Sequence, residues 1–382
     1  MSVPLNPVLE GLRTYPFVRL KQAARARREQ GVDVIDFGIG EPREPTPLFI
    51  REALAAAITP QSPYPVAEGL PELRSAIAAW TARRFGARLD PATQVVPTLG
   101  SKELIFHLAQ VVGPGSVAVT VPGYPVAERG ALFAGRMVHE LPLTADRGFL
   151  PDLDALPGDL ALLWLNYPNN PTAATADVAF YDRAAALARD RGFVLASDEA
   201  YSELAFSDEL PASALQVADL TNVLVVNTLS KRSSMPGYRS GFAAGDPHLI
   251  AALKRYRPNV GVAPQEFVQR AAVAAWEDEA HVVAVREVYR AKRDVLLPAL
   301  LACGLRPAGG DATFFLWLAL PEGWTSSEAF AMALLDEGIV VAPGAYFGAA
   351  GEGYVRVALV QTLAACERAA QRLAAWTVPP PV

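Results

Sequence analysis

The chain has 382 residues, 51% of them hydrophobic, and this length and composition are sufficient for two packed domains. Its formal net charge is −6. The acidic balance argues against nucleic acid or an anionic membrane as the main partner, and we see neither a signal-peptide core nor an apolar run of membrane-span length. The two cysteines, Cys303 and Cys366, have no metal-type spacing, so we expect a cytoplasmic protein without a metal site.

Helical and strand-like patterns alternate through the middle of the chain. Two segments predict amphipathic helices, TPLFIREALAAAI and LPELRSAIAAWTARRF, the second with Pro71 in its first turn. Four short apolar runs predict strands covered on both faces: SVAVTV, LALLWLN, FVLASDE and NVLVVNT. A helical segment that ends at a glycine, VAFYDRAAALARDRG, lies between two of them. This alternation predicts an α/β fold, with a large, doubly wound, mostly parallel sheet domain over residues 46–280.

The C-terminal part of the sequence has a different pattern. A long helical stretch over residues 264–304 leads to TFFLWLAL, the helix SSEAFAMALLDEG, the run YVRVALV and a last helix that ends near Trp376. This order predicts a smaller α+β domain over residues 281–382. We expect an N-terminal arm, residues 1–45, to pack on it and to form part of it.

Polar residues follow the four short apolar runs and a fifth predicted strand, QVVPTL, which precedes residues 100–102. The carboxyl ends of the strands are where open α/β sheets bind their ligands. Each residue alone has an ordinary explanation as a helix cap, a turn residue or a surface lysine. Together they predict one site, because a single ligand accounts for all of them: Gly100, Ser101, Lys102, Tyr124, Asn170, Asp198, Tyr201, Thr228, Ser230 and Lys231.

One end of that ligand is a phosphate. The predicted helix start at residues 100–102 offers backbone N–H groups to a dianion. Thr228 and Ser230 add hydroxyl donors, and Arg239 adds a bidentate partner.

The other end is the aromatic ring of pyridoxal 5′-phosphate. Asp198 would keep the pyridine nitrogen protonated, which makes the ring an electron sink. Asn170 and Tyr201 would donate to the ring's phenolate oxygen, and Tyr124 would cover the ring face. Lys231 is the predicted amine that reacts with the cofactor's aldehyde. We therefore expect Lys231, Asp198 and Tyr124 to be catalytic.

The chain resembles the class I/II aminotransferases of the fold type I pyridoxal-phosphate family nearly from end to end. The motifs occur in the family's order: FGIGEP, YPVAEGLPELRSAI, LGSKE, PGYP, NYPNNPT, SDEAY, SKRSSMPGYRSG and YVRVAL. The resemblance implies that the Gly40 backbone, Asn170 and Arg356 bind the substrate, Arg356 through its α-carboxylate. It also implies a homodimer, in which Tyr64 reaches the cofactor phosphate of the partner subunit. One departure is Ala173, where the family has glycine.

The resemblance implies amino-group transfer from an amino acid to 2-oxoglutarate, with Lys231 as the base that takes the α-proton. Several segments are similar to bacterial succinyldiaminopimelate aminotransferases of lysine biosynthesis, among them YPFVRL and IDFGIGEPREPTP. N-succinyl-LL-2,6-diaminopimelate is therefore the expected donor. The alternatives are an LL-diaminopimelate or a broad aspartate/aromatic aminotransferase, and a β-lyase on the same fold.

Additional cations and aromatic residues could line the side-chain pocket of the substrate. Several arginines there would favour a second, distal carboxylate. The candidates are Arg13, Tyr15, Phe17, Arg19, Arg232, Arg255 and Arg257. For Arg232 we expect a position facing solvent or a dimer partner. Asn259 is a candidate for a second residue that the partner subunit contributes.

Overall fold

The structure, a computed structural model, describes residues 3–11, 17–61 and 63–380. Its α-helices are α1 Pro7–Gly11, α2 Phe17–Glu29, α3 Leu48–Ala56, α4 Pro71–Phe85, α5 Lys102–Val111, α6 Val126–Phe133, α7 Val178–Arg191, α8 Leu229–Arg232, α9 Pro247–Tyr256, α10 Glu266–Glu277, α11 Ala280–Ala302, α12 Ser327–Asp336 and α13 Leu363–Ala375. Its β-strands are β1 Ile35–Asp36, β2 Val95–Thr98, β3 Ser116–Val121, β4 Val138–Pro142, β5 Leu160–Asn166, β6 Val194–Asp198, β7 Val223–Thr228, β8 Gly241–Gly245, β9 Arg306–Pro307, β10 Phe315–Ala319, β11 Ile339–Val340, β12 Ala342–Pro343 and β13 Tyr354–Ala358.

A seven-stranded sheet forms the centre of the molecule, in the order β2-β8-β7-β6-β5-β3-β4. Strands β7, β6, β5, β3 and β4 are parallel, whereas β8 runs antiparallel to both of its neighbours. Gly241, the first residue of β8, pairs with Thr98 on one side and with Thr228 on the other. The start of β8 therefore lies between the ends of β2 and β7. The predicted α/β fold with a mostly parallel sheet is confirmed.

The strands of this sheet are apolar throughout because both faces are covered. In β5, Leu162 and Trp164 belong to one hydrophobic core, and Leu163 and Leu165 belong to the core on the opposite face. Burial of each leucine side chain stabilises the fold by about 1.5–3 kcal/mol. This two-sided burial is the physical reason for the continuous apolar runs in the sequence.

A second, smaller sheet is built from the C-terminal part. Its four strands have the order β12-β13-β10-β9, and α11 packs against α13 beside it. The N-terminal part joins this unit, because β1 pairs in parallel with β11. The division of the chain at residues 45 and 280 stays a prediction. No helix in the described part of the chain has both the length and the apolar character needed to cross a bilayer.

The sequence predicted some helix ends correctly and others incorrectly. Helix α4 begins at Pro71, and α7 ends where Gly192 adopts a left-handed conformation, both as predicted. The long stretch 264–304 is not one helix, so that prediction was wrong. It divides into α10 and α11, with Asp278 in an extended conformation between them. Helix α10 packs on α3 and α4, whereas α11 packs on α13.

Candidate active site

A cavity of about 580 Å³ lies at the edge of the large sheet where β5, β6 and β7 end. The structure brings most of the predicted site residues together in its wall. These are Gly40, Ser101, Lys102, Tyr124, Asn170, Asp198, Tyr201, Thr228, Ser230, Lys231, Arg239 and Arg356.

The N-terminus of α5 forms one end of the cavity. Gly100 precedes it with φ +70°, and a Cβ atom there would lie 2.6 Å from Arg239 Nη2. Glycine thus lets the guanidinium group approach the start of the helix. Arg239 is held in place by bonds from Nη1 to the Pro236 carbonyl (2.8 Å) and from Nη2 to the Leu99 carbonyl (3.1 Å). A helix N-terminus beside an arginine is a site for an anion.

The two predicted hydroxyl donors have different surroundings. Thr228 caps the four-residue helix α8, since its Oγ1 accepts a bond from the Ser230 backbone N–H. The Thr228 hydroxyl also lies 2.9 Å from the Ser240 carbonyl and 2.9 Å from Ser230 Oγ. Its hydrogen-bonding capacity is therefore used within the protein. Ser230 is the residue of the pair that is better placed to donate into the cavity.

Asp198 ends β6 and supplies a carboxylate to the middle of the cavity. Burial raises its pKa to about 7, against the effects of a hydrogen bond from the Ala200 N–H and of the charge on Lys231. Asn166 ends the neighbouring strand directly opposite Asp198. The Asn166 amide donates to the Asp198 carbonyl (2.9 Å) and accepts from the Asn170 N–H (2.9 Å). It therefore fixes both neighbours. Asn166 follows a predicted strand, and that position was the signal for it.

The aromatic residues of the site differ in exposure. Tyr201 is buried, and burial raises its pKa well above the ordinary value. Its ring packs edge-on against Phe314 and Phe315. Tyr124 is half-buried and lines the same cavity. Both phenol rings are thus available to a planar group held in the cavity.

Lys231 projects into the cavity from α8. Its Nζ donates a 2.8 Å hydrogen bond to the Gly40 carbonyl. Burial is the largest cause that lowers the pKa of Lys231, to about 8, and the charge of Arg356 adds to the shift. An amine with this pKa is about one tenth neutral at pH 7, far more than an ordinary lysine, so it can act as a nucleophile and as a base.

Arg356 lies on β13 and is buried, not turned outward to solvent. Its Nη1 donates to Asn170 Oδ1 (2.7 Å), and its Nη2 donates to the Gly38 carbonyl (2.8 Å). The guanidinium carbon lies 4.2 Å from the Phe315 ring centroid and 4.5 Å from that of Phe347. These contacts fix a planar cation at the wall of the cavity, where it can bind a carboxylate.

Some lining residues were missed by the sequence analysis. They come from segments outside the large sheet, namely Lys21, Glu41, Phe315, Tyr346 and Phe347. Glu41 directly follows Gly40 in the FGIGEP motif, and this position could have predicted that it lines the cavity. We find no comparable signal for Lys21 on α2 or for Tyr346.

Several other candidates do not line this cavity. Arg257 is buried against Glu103 (3.2 Å) and the Ala67 carbonyl (2.9 Å), and Arg19 lies 3.6 Å from Glu328. Arg255, Asn259 and Tyr64 are exposed. Arg13, Tyr15 and the side chain of Phe17 lie outside the described residues.

Arg232 corrects an expectation. We predicted that it faces solvent or a dimer partner, but it is buried within its own chain, with a side chain that is 1% exposed.

Ala173 also has a structural consequence, because it adopts φ +59° where the family has glycine. A non-glycine residue in the left-handed region costs about 1 kcal/mol.

Comparison with known proteins identifies the family. The sequence model of aminotransferase class I and II matches residues 32–373. The chain belongs to this family. It is 41% identical to an LL-diaminopimelate aminotransferase from Aquifex aeolicus, over 96% of this chain and 97% of the relative.

Solved structures agree with this assignment. An aminotransferase from Neisseria meningitidis has a TM-score of 0.89 at 35% identity, covering 97% of this chain and 99% of that one. A probable N-succinyldiaminopimelate aminotransferase from Thermus thermophilus has a TM-score of 0.85 at 32% identity, covering 94% and 98%.

The cofactor of this aminotransferase is pyridoxal 5′-phosphate, and the residues of the cavity fit it. The start of α5 and Arg239 match the phosphate, and Gly100 leaves the space that a Cβ atom would fill. The buried Asp198 carboxylate is suited to a protonated pyridine nitrogen. The Lys231 amine, with its lowered pKa, is suited to the aldehyde.

Proposed function

We propose that this aminotransferase uses LL-2,6-diaminopimelate as amino donor and 2-oxoglutarate as acceptor. Such a donor carries a second ammonium and a second carboxylate at its far end. Some groups in the cavity fit the cofactor and the α-carboxylate. Beyond these, the cavity is lined by one negative side chain, Glu41, and one positive side chain, Lys21. The carboxylate of Glu41 is the observation that carries the proposal, because a free distal ammonium group would pair with it. The Aquifex relative supports the same donor.

The roles of the protein residues follow from their surroundings. When bound, pyridoxal phosphate supplies an electron sink that makes the donor's α-proton acidic. Arg356 binds the α-carboxylate and so holds the Cα–H bond in a fixed direction. Lys231 Nζ would accept the α-proton of the donor. Asp198 would hold a proton on the pyridine nitrogen, and Tyr124 would cover the ring face.

N-succinyl-LL-2,6-diaminopimelate is the second candidate. The similarity to the Thermus protein and the sequence resemblance support it. A succinyl group converts the distal ammonium into a neutral amide that carries a further carboxylate, and that carboxylate could pair with Lys21 at the cavity. Repulsion from Glu41 is the reason for placing this donor second.

We also propose a homodimer. Tyr64 is 100% exposed, and Ile58 and Val66 beside it are 65% and 59% exposed. These three exposed residues lie within one nine-residue segment, and a contiguous apolar patch on a surface is typical of an interaction site. A second copy of the chain would cover them and would bring Tyr64 to the partner's cofactor.

A donor panel tests the substrate. The purified enzyme, with 2-oxoglutarate as acceptor, is given LL-diaminopimelate, its N-succinyl derivative, aspartate and tyrosine, and glutamate formation is measured. We expect the highest kcat/KM with LL-diaminopimelate. Release of pyruvate and ammonia without glutamate, from an amino acid with a leaving group on Cβ, would instead identify a β-lyase.

The variant Glu41→Gln separates the two diaminopimelate donors. Loss of the carboxylate should lower kcat/KM for LL-diaminopimelate about tenfold and leave or raise that for the succinylated donor. Glu52→Gln, on the exposed side of α3, is the matched control. A wild-type preference for the succinylated donor that Glu41→Gln does not change would contradict the proposal.

A further inference from the structure

Arg232, the residue after Lys231, binds the junction between α10 and α11. Its Nη1 donates to the Ala275 carbonyl (2.6 Å), and its Nη2 donates to the Asp278 carbonyl (3.1 Å). The same Nη2 lies 2.8 Å from Glu279 Oε1, and the guanidinium carbon lies 5.0 Å from the Trp276 ring centroid. The two Nη atoms of this buried cation are thus bound by the last turn of α10 and by the two-residue break that follows it.

The next residue, Ser233, binds the first turn of α11. Ser233 Oγ lies 2.8 Å from His281 Nε2, and His281 Nδ1 lies 2.6 Å from Asp278 Oδ1. The His281 backbone N–H also donates to Asp278 Oδ1 (2.9 Å). Arg232, Ser233, Asp278, Glu279 and His281 are called the junction cluster below.

Charge and burial determine the protonation state of the histidine. Burial lowers the pKa of His281, and the nearby Arg232 cation acts in the same direction, although Asp278 opposes them. A neutral ring that faces a carboxylate carries its proton on Nδ1 and donates it to Asp278. Nε2 then accepts the Ser233 hydroxyl proton.

The serine, histidine and aspartate form a sequence of hydrogen bonds like that of a hydrolase triad, but this one has no access for a substrate. Ser233 is fully buried, and His281 is packed edge-on against Phe49. The Ser233 backbone N–H donates to the Leu229 carbonyl (3.0 Å) and so closes α8, the helix that carries Lys231. The group that His281 holds is therefore the end of the Lys231 helix.

Helix α11 continues from the junction cluster to the segment that follows Gly40 and Glu41. Lys292 on α11 is buried and pairs with Glu44, three residues after Glu41. Helix α11 is thus bound at its start to the Lys231 segment, and at its middle to the segment that follows Gly40. Since Lys231 Nζ donates to the Gly40 carbonyl, helix α11 is connected to both of the segments that this hydrogen bond joins.

We infer that the junction cluster positions Lys231. By fixing the end of α8 against the start of α11, Ser233 and His281 set where Lys231 Nζ lies relative to Asp198 and Arg356. They act through the backbone of α8 and touch neither cofactor nor substrate. A misplacement of about 1 Å at a catalytic group can cost about a hundredfold in rate. Loosening this support should therefore affect catalysis more than substrate binding.

Three substitutions test this inference. Ser233→Ala removes the hydroxyl group. His281→Asn keeps an amide near the Nδ1 position, facing Asp278, and loses the contact to Ser233. His281→Gln places an amide near the Nε2 position and can keep that contact. His248→Asn, an exposed histidine at the start of α9, is the matched control.

Four quantities are measured on each variant: kcat, KM for the donor, the affinity of cofactor-free protein for pyridoxal phosphate, and the pH midpoint of the visible absorbance of the loaded enzyme. For Ser233→Ala and His281→Asn we expect a roughly tenfold lower kcat, KM within about twofold, weaker cofactor binding and a shifted midpoint. His281→Gln should recover most of each loss.

A purely structural role would give a different result. The melting temperature of Ser233→Ala would fall while kcat, cofactor affinity and the absorbance midpoint stayed at wild-type values, and this outcome overturns the inference. Equal losses in His281→Asn and His281→Gln would also overturn it, because the contact from Nε2 to Ser233 would then have no special role.

Discussion

Arg356 Nη1 donates a 2.7 Å hydrogen bond to Asn170 Oδ1, although the two residues are 186 positions apart in the chain. Asn170 is predicted to touch the cofactor, and Arg356 is predicted to hold the substrate. If these predicted roles are correct, the bond orients Arg356 from the cofactor side of the cavity. A carboxylate bound by Arg356 would then be placed in register with the cofactor ring.

Arg356→Lys should weaken binding of both amino and oxo acids. Lysine keeps the charge, but it cannot contact Asn170, the Gly38 carbonyl and a carboxylate in the geometry of a guanidinium group. We expect kcat/KM to fall by about a hundredfold, mostly through KM, in steady-state assays with donor and with 2-oxoglutarate. The exposed Arg306→Lys is the control, and an unchanged KM in Arg356→Lys would refute this role.

Lys231→Ala should abolish the covalent bond to the cofactor and remove the base. The visible absorbance of the wild-type protein should disappear on borohydride reduction, and mass spectrometry should find the reduced adduct on Lys231. The variant should give no adduct, and its kcat should be lower by at least about a thousandfold. Lys254→Ala, whose Nζ donates to the Ala92 carbonyl, should behave as wild type. An adduct at another lysine would contradict the assignment.

Gly100→Ala should weaken cofactor binding beyond its effect on stability. The new Cβ atom would collide with the Arg239 guanidinium group, and φ +70° would add a backbone cost of about 1–2 kcal/mol. Gly86→Ala has a matched backbone cost at φ +71°, but a Cβ atom there meets nothing within 4 Å. Calorimetric melting should show similar losses for both variants. Titration with pyridoxal phosphate should show weaker binding only for Gly100→Ala, and equal affinities would argue against a phosphate site beside Gly100.

Asp198→Asn should make cofactor-free protein more stable, and increasingly so as the pH rises. Burial raises the pKa of Asp198 from 3.8 to about 7, so the folded state holds this proton more tightly than the unfolded state does. The associated stability is fully present below about pH 4 and is lost as the pH rises through 7. Urea unfolding should show an advantage of the variant that is larger at pH 8 than at pH 5 by about 2 kcal/mol. An advantage that does not change with pH would show that the carboxylate titrates normally.

Mixing two impaired variants tests the proposed dimer. Tyr64→Phe lacks the phenol that would reach the partner's cofactor, and Lys231→Ala lacks the base of its own site. After the two proteins are unfolded together and refolded, mixed dimers should contain one site with both residues intact. Activity above that of either variant refolded alone is expected. No recovery, with mixed dimers detected by mass spectrometry, would mean that Tyr64 acts within its own chain or not at all.

The strands of the large sheet and the residues at their ends could be predicted because burial on both faces leaves a direct pattern in the sequence. Asp198, Asn170 and Lys231 were found in this way. The contact of Arg356 with the Gly38 carbonyl could not be predicted, since it depends on how distant segments pack and a carbonyl has no side-chain signature. The same is true of Lys21, which reaches the cavity from α2.

Arg232 and the broken helix were mispredicted for a shared reason. The stretch around Asp278 is locally compatible with a helix, and nothing in its composition requires an interruption. In the folded chain Arg232 binds the Ala275 and Asp278 carbonyls, and His281 binds the Asp278 side chain. These tertiary contacts stabilise the break, and they outweigh a helical preference of a few tenths of a kcal/mol per residue.

The antiparallel strand β8 has a consequence for how the protein can vary. Since β8 starts between the ends of β2 and β7, the chain returns through the sheet directly after Lys231, and Arg239 reaches the start of α5 without a crossover helix. If Arg239 binds the cofactor phosphate as predicted, the length of residues 229–240 is restricted, and insertions there should be lost in selection for activity. The connections at the amino ends of the parallel strands lie away from the cavity and carry no such restriction. Length differences among functional homologues should therefore accumulate there.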